Sequence, residues 1–377
     1  MRLMYFTPLL STVGGQERTL TDKANYLVGK GHEVIIVTYE HEGPLAYPLA
    51  RGVRHEDLHC HFFMLYHYPI WRRPLELLRI KRMFRSRFRQ VVSTFMPDLI
   101  VIPIPCTENF ICDVMAVAGK IPVVIESHLA YGYSVVKRGI TEKWLYYFQS
   151  PLRAVRRARL LVTLTQGDAH CWMQQGVKRV KVVPNPVTNY PTVLNHQSSG
   201  VHPRIICVGR LTPQKRFDRL IEAFSLVAER YPQWRVDIFG DGEDREKLQQ
   251  LIDSKGLSER ILLRHAVSDI YTEYQRSQFF VLSSDFEGFG LVVIEAMACG
   301  IPVVSTDCPY GPSEIIEDGK TGLLAKMDVQ DLADKMEWMI THEAERQLMG
   351  NEARTASARY QLEIVMPAWE QAYASVL

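Results

Sequence analysis

Short apolar runs of strand length alternate along the whole chain with longer stretches of helical period. Residues 2–10, 32–39, 97–102, 121–126, 160–164 and 180–184 read as buried strands of the first half. Residues 204–209, 234–240, 261–265, 279–282 and a run opening at Val303 repeat the pattern in the second. Helical stretches fall between them, at about 17–29, 72–96, 137–159, 166–175, 244–254, 269–277 and 291–299, with more helix over 328–358 and 362–377. Strand, turn, helix and strand in repetition predict an α/β fold of two doubly wound parallel sheets. Between the halves, residues 186–203 are polar, proline-bearing and aperiodic, which predicts a linker. The expected domains are residues 1–188 and 200–361.

One helix stands out. Leu77, Ile80, Phe84, Phe88, Val91 and Phe95 recur at spacings of three and four, an inward apolar stripe. Arg79, Arg82, Arg85 and Arg89 occupy the opposite face. From Arg72 to Arg89 there are eight basic residues and one acid, Glu76. Tyr68 and Trp71, just upstream, suit an interfacial position. The bias extends further: residues 1–195 hold 25 Lys and Arg against 14 Asp and Glu, whereas the remainder is acidic and the total is only +2. A basic half implies an anionic partner, whether acidic lipid, a phosphorylated acceptor or nucleic acid.

Composition narrows the chemistry. The seven cysteines are scattered without a C-x-x-C, which argues for reduced thiols rather than disulfides or a zinc site. His55, His59, His61 and His67 lack ligand spacing and read as solvated. No run approaches the roughly 18 apolar residues of a membrane span, and no apolar leader opens the chain, so the expected location is cytoplasmic.

The most informative stretch is 279–325. A strand runs into Ser283-Ser284-Asp285, then a tight loop, Glu287-Gly288-Phe289-Gly290, then a helix that Gly300 caps before Pro302. Glu287 precedes the helix and Glu295, eight residues on, projects from its second turn. The unpaired N–H groups near Gly290 and Leu291 favour a phosphate. In the same half a strand ends at Gly209, followed by Arg210 and Lys215, two cations on a strand-to-helix loop that can pair with a diphosphate.

The string around Glu287 and Glu295 resembles the E-x7-E signature of retaining nucleotide-sugar glycosyltransferases of family 4, and Arg210 and Lys215 fit that family's G-R-x-x-x-x-K pattern. The resemblance is strong over 200–325; in the first half it rests on architecture, Gly14-Gly15 and His128. It implies the GT-B fold, two Rossmann-like domains facing across a cleft, with the last helix, 362–377, returning to the first domain. It implies that Arg210, Lys215, Gly290 and Leu291 hold the donor diphosphate, that Glu295 meets the ribose and Glu287 the donor sugar. His128 would lie near that sugar, with Glu126 a lesser candidate, and Gly15 near donor phosphates or acceptor. The strand end at His265-Ala266 would meet the base. No Asp-x-Asp occurs, so no metal and no cofactor are expected. No residue stands out as a nucleophile for double displacement, and the family's same-face attack is the expected mechanism.

The tail of this stretch, residues 307–316, resembles the subgroup that builds bacterial surface polysaccharides and lipid-linked oligosaccharides, often from UDP-hexose or UDP-N-acetylhexosamine. The expected partners are therefore a nucleotide-sugar, a polyprenyl-diphosphate-linked or oligosaccharide acceptor, and the anionic inner face of a membrane met through Arg79, Arg82, Arg85 and Arg89, with no nucleic acid. Three alternatives stand beside it: a nucleotide-sugar epimerase or hydrolase of the same fold, a basic-faced binding protein with an inactive site, and a dehydrogenase, which the missing G-x-G-x-x-G disfavours.

Overall fold

A computed structural model describes residues 1–104, 110–134, 151–194 and 203–377. The chain forms two compact units, Met1–Pro184 with Val365–Leu377, and Asn185–Ile364.

The first unit is built on a seven-stranded parallel sheet. Its strands are β1 (Arg2–Phe6), β2 (Glu33–Thr38), β3 (Val53–Asp57), β4 (Leu99–Ile104), β5 (Val123–Ser127), β6 (Leu160–Thr163) and β7 (Val180–Val182). They lie in the order β3-β2-β1-β4-β5-β6-β7, so the winding reverses between β1 and β4. The continuous apolar composition of β1, β2 and β4 follows from cover on both faces. Strand β1 ends at Phe6, short of the expected 10, because Thr7–Gly14 forms the loop that feeds the first helix, α1 (Gly15–Gly29). Helix α1 therefore begins at Gly15 itself, two residues earlier than its pattern predicts.

Helix α2 (Arg73–Phe95) buries Ile80, Phe84, Phe88, Val91 and Phe95, as its stripe requires, and leaves Leu77 half-buried. Phe84 stacks on Phe110 at 4.2 Å between ring centroids and meets Phe6 edge-on at 5.5 Å, so α2 is seated on aromatic contacts. Charge fixes its rotation. Lys81 and Arg85 reach the buried Asp113 of α3 (Ile111–Ala118) at 2.8 and 2.6 Å. This corrects one expectation: Arg85 is bound to a neighbouring helix and is not a free member of the basic face. Of the expected helix over 137–159, residues 137–150 lie outside those described, and Pro151–Arg157 is helical.

The second unit carries six parallel strands, β8 (Arg204–Val208), β9 (Arg235–Phe239), β10 (Ile261–Arg264), β11 (Phe279–Leu282), β12 (Val303–Thr306) and β13 (Gly322–Ala325), in the order β10-β9-β8-β11-β12-β13. The winding reverses between β8 and β11, and ligands of doubly wound sheets bind at the carboxyl ends of strands at such a point.

Residues 185–194 depart from the expected linker. Val187 donates its N–H to Tyr360 O at 2.7 Å, and Asn189 N–H donates to the Tyr271 hydroxyl at 3.2 Å. The Arg354 guanidinium lies 4.7 Å from the Tyr190 ring centroid. Polar, aperiodic sequence is ordered here by long-range hydrogen bonds that no local period encodes. The remainder of that stretch, 195–202, lies outside the described residues.

Removing the Asp113 carboxylate takes from the buried Lys81 ammonium its ion-pair partner at 2.8 Å. Asp113→Ala should destabilise the first unit by about 3–5 kcal/mol, seen as a lower urea midpoint; an unchanged midpoint would separate this pair from stability.

Candidate active site

In the second unit the loops that leave β8 and β11 lie side by side at the reversal of winding, and the candidate donor residues sit on them. After β8 the chain passes Gly209 and Arg210, makes one 3-10 turn at Pro213–Lys215, and enters the helix Phe217–Val227 through Arg216 at φ 50°. The lysine stem lies against the Gly209 backbone, where a Cβ would stand 3.3 Å from Lys215 Cε. Gly240 has to be glycine, since a side chain on it would strike the Gly209 carbonyl.

Lys215 Nζ meets Glu287 Oε1 at 2.6 Å, with 14% and 8% of the two side chains exposed. Ser284 Oγ donates to the same carboxylate oxygen at 2.6 Å. The Glu287 backbone is held as well, donating to Pro309 O at 2.9 Å and accepting from Tyr310 N at 3.1 Å. More bonds tie the two loops together. Arg216 and Arg219 both reach Asp285, at 3.2 and 2.6 Å, and Gln214 Nε2 donates to Phe286 O at 2.9 Å. Ser283 Oγ donates to Lys215 O at 2.8 Å. Two residues expected to serve different parts of a donor, one cation and one carboxylate, are thus each other's partners. Arg210 is exposed; its carbonyl accepts from Thr212 N–H at 2.9 Å, and no ion pair is formed by its side chain among the described residues.

The helix Leu291–Ala298 starts from Gly290 at φ 100°, a left-handed conformation open to glycine, with no side-chain cap. Val293 N–H donates to Gly290 O at 2.9 Å, which leaves the N–H groups of Leu291 and Val292 without a partner in the helix. Glu295, on the second turn, is buried and accepts from the Tyr274 hydroxyl at 3.2 Å. Burial, with the Glu295 charge beside it, holds that hydroxyl well above the usual phenol range, so it stays a donor. At the end of β10, Asp241 accepts from His265 Nδ1 at 2.6 Å and from Ala266 N–H at 3.1 Å. Cys308 is buried and its thiol is pushed up to about 12 by burial, with the Glu287 charge adding, so it is no thiolate nucleophile. Among the described residues no group of three or more His, Cys, Asp or Glu is placed to hold a metal.

The first unit contributes a buried charge cluster at the end of β5. Glu126 Oε1 takes Lys23 Nζ at 2.6 Å and the Tyr373 hydroxyl at 2.5 Å; its Oε2 faces His128 Nε2 at 3.0 Å. Burial alone would raise this carboxyl. The Lys23 charge, with hydrogen bonds from His128 and Lys23, overcomes that and holds it at about 2. An ionised carboxylate only accepts, so Nε2 of His128 carries its proton and Nδ1 is left as the acceptor. Burial lowers His128 against the opposing pull of Glu126, so the ring is neutral near pH 7. Lys23 Nζ also lies 3.4 Å from the Trp369 ring centroid, and Tyr373 exchanges a hydrogen bond with Tyr5 at 3.0 Å. Trp369 and Tyr373 belong to the C-terminal helix Leu362–Ala374, so this helix is part of the cluster. Gly15 opens α1, and a side chain on Gly14 would run into the Glu17 carboxylate.

Sequence reasoning missed Lys23, Ser284, Asp285, Arg219, Tyr274 and Tyr373. Ser284 and Asp285 were signalled by polar residues closing an apolar strand; Lys23 and Tyr373 carried no local signal.

Two doubly wound parallel sheets, the second carrying its candidate site residues on the loops at its reversal, have the architecture of a GT-B glycosyltransferase. The fold matches that of a TarM mutant from Staphylococcus aureus, solved in complex with fondaparinux, α-GlcNAc-glycerol and UDP, at TM-score 0.77 and 15% identity, covering 99% of this chain and all of the other. Residues 13–188 match Glycosyltransferase Family 4 and residues 195–356 match Glycosyl transferases group 1, and the chain belongs to this glycosyltransferase family. Over its whole length it is 24% identical to an α-1,4-N-acetyl-D-galactosaminyltransferase of Campylobacter jejuni that acts on a GalNAc-bearing diNAcBac-PP-undecaprenol, covering 99% of that protein. It is 32% identical over 223 residues to an exopolysaccharide phosphotransferase of Streptomyces coelicolor, 58% of this chain but only 23% of the relative.

The Glu126 carboxyl sits at about 2 in the folded protein against an ordinary 4.5. A depressed carboxyl stabilises the fold above its unfolded value and loses that contribution as pH falls through the folded one. The stability gap between wild type and Glu126→Gln should therefore be full above pH 4.5 and close towards pH 2, as followed by urea denaturation across that range. A gap independent of pH would show that the carboxylate charge is not what stabilises the cluster.

Proposed function

We propose that this glycosyltransferase moves a sugar, with retention at the anomeric carbon, from a UDP-sugar to a lipid-linked or polysaccharide acceptor in cell-surface glycan synthesis. The observation that carries this reading is the 2.6 Å contact between Lys215 and Glu287 at the reversal of the second sheet. One point then serves both ends of a donor. Lys215 and Arg210 meet the diphosphate together with the N–H groups at Gly290 and Leu291, and Glu287 turns to the sugar hydroxyls once the phosphate has taken its lysine. Glu295 orients the ribose. In the first unit His128 is neutral, with its Nε2–H hydrogen-bonded to Glu126.

Transfer then needs no covalent enzyme intermediate. The acceptor oxygen attacks the anomeric carbon from the face the phosphate leaves. The bond from that carbon to the phosphate oxygen breaks as the new glycosidic bond forms, and the leaving oxygen takes the acceptor proton. The protein's part is position and charge. The choice of uridine draws on the UDP bound to the TarM structure, and the lipid-linked acceptor on the Campylobacter relative.

The ion pair makes the test sharp. Losing a charge-assisted contact costs roughly 1.5–3 kcal/mol, so Lys215→Ala should weaken UDP binding by about ten- to a hundredfold in calorimetry. Glu287→Gln releases the lysine, and should hold or raise UDP affinity while abolishing transfer. Equal losses of UDP affinity in the two variants would reject this division of roles. Sugar product formed without any acceptor would point to hydrolysis or epimerisation instead.

Cations of the chain itself face the diphosphate in this scheme, and activity should survive excess EDTA. Loss under EDTA with recovery on manganese or magnesium would count against it.

A further inference from the structure

Seven large apolar side chains within sixteen residues stand in solvent: Phe63, Met64, Tyr66, Ile70, Trp71, Leu75 and Leu78, from 51% exposed at Tyr66 to 80% at Trp71. The other exposed large apolar residues among those described are spread singly along the chain, as on any soluble surface. A concentrated apolar surface of this kind needs a partner.

The segment is well anchored. Phe62 and Leu65 are buried beneath it, and Phe63 N–H donates to Glu40 Oε1 at 2.7 Å. Arg73 folds back onto the carbonyls of Tyr68 and Tyr66 at 2.9 and 3.0 Å, locking the entry to α2. The apolar tips therefore project from a fixed base.

What lies along α2 says what the partner is. Its outer face, opposite Ile80, Phe84 and Phe88, carries Leu75 and Leu78 on the first turns and then Arg79, Arg82 and Arg89, all exposed. At about 1.5 Å per residue, the arginine band starts within roughly 6 Å of the last exposed leucine and runs on for about 15 Å. Apolar tip first and cations behind is the depth order of a bilayer surface, hydrocarbon then phosphate. A protein partner would be met by an apolar centre ringed with polar residues, and a nucleic acid by cations without the tip.

We propose that Phe63–Leu78 is a wedge that enters the outer layer of an anionic bilayer, with Arg79, Arg82 and Arg89 at the level of the lipid phosphates. The proposal deepens the reading of a lipid-borne acceptor and rests on it for its purpose. It also extends the expected mode of attachment, which placed the four arginines at the membrane with Tyr68 and Trp71 in an interfacial position, to an apolar tip that includes Leu75 and Leu78 of α2.

The test is flotation of the full chain with phosphatidylcholine vesicles, with and without phosphatidylglycerol, at low and high salt. Wild type should float with the anionic vesicles and keep a salt-resistant fraction. Trp71→Ser with Leu75→Ser should cut partitioning roughly tenfold or more at either salt. Arg82→Glu with Arg89→Glu should remove the preference for anionic lipid and spare the salt-resistant fraction. All four positions are exposed, so folding is not at risk, and circular dichroism of the variants checks it. Equal flotation of wild type and the Trp71/Leu75 variant would overturn the wedge. So would self-association of wild type that this variant abolishes, or an RNA mobility shift without flotation. Transfer to a water-soluble acceptor should be unchanged in both variants. If wild type floats but transfers no sugar to any acceptor, the functional reading falls and the wedge stands. If it transfers but does not float, the wedge falls alone.

Discussion

Lys215 and Glu287 are separated by 72 residues and meet at 2.6 Å inside the second unit. Desolvating an ammonium and a carboxylate is expensive, and replacing such pairs with apolar groups is often neutral or better for stability. The pair has to be held by its surroundings. A parallel sheet that reverses between β8 and β11 brings the two loops together, Gly209 lies against the lysine stem, Gly240 lets its own backbone approach Gly209, and Asp285 takes Arg216 and Arg219. The hydroxyl of Ser284 and the backbone of Pro309 and Tyr310 fix the carboxylate from the other side. Without this scaffold the two charges would gain more from water than from each other. With it, they are held in contact and largely shielded from water.

Glu126 is the corresponding centre of the first unit, and burial there is complete. Its two oxygens are shared among an ammonium, a phenol and an imidazole, and each partner comes from a different part of the chain: α1, the C-terminal helix and the end of β5. A fully buried carboxylate satisfied by three donors cannot lose one without cost, so the cluster fixes how the last helix packs as well as which tautomer His128 adopts. Stability of the unit and orientation of its candidate site residue rest on one charge.

Most of the strands and helices and the strand–loop–helix unit around Glu287 were legible in the sequence, because local apolar period and turn chemistry determine them; β3 and β13, the short edge strands Val53–Asp57 and Gly322–Ala325, were not. Glu287, Glu295, Arg210 and Lys215 were legible as a set through their spacing. Their mutual contacts were not: that Lys215 finds Glu287, that Tyr274 finds Glu295, and that Lys23 and Tyr373 find Glu126 depend on strand order, which period alone leaves open. Residues 186–194 were misread for the same reason. Their polar composition is that of a loop, and their order comes from Tyr271, Arg354 and Tyr360, far along the chain.

Helix α2 marks the limit in a different way. Its buried stripe could be read because a core accepts only apolar residues at the inward positions, so the pattern is forced. Its outer face is under no such demand, and Leu75 and Leu78 there look like ordinary scatter among arginines until their exposure is known. Leaving large apolar side chains in water gives up burial energy that an inward position would have recovered. A fold that keeps them on an anchored turn, with Glu40 and Arg73 holding the backbone beneath, has forgone that energy without gaining flexibility. The energy is recovered only where an apolar phase is supplied from outside, and the cations ranged behind the tip match the charged layer that bounds such a phase.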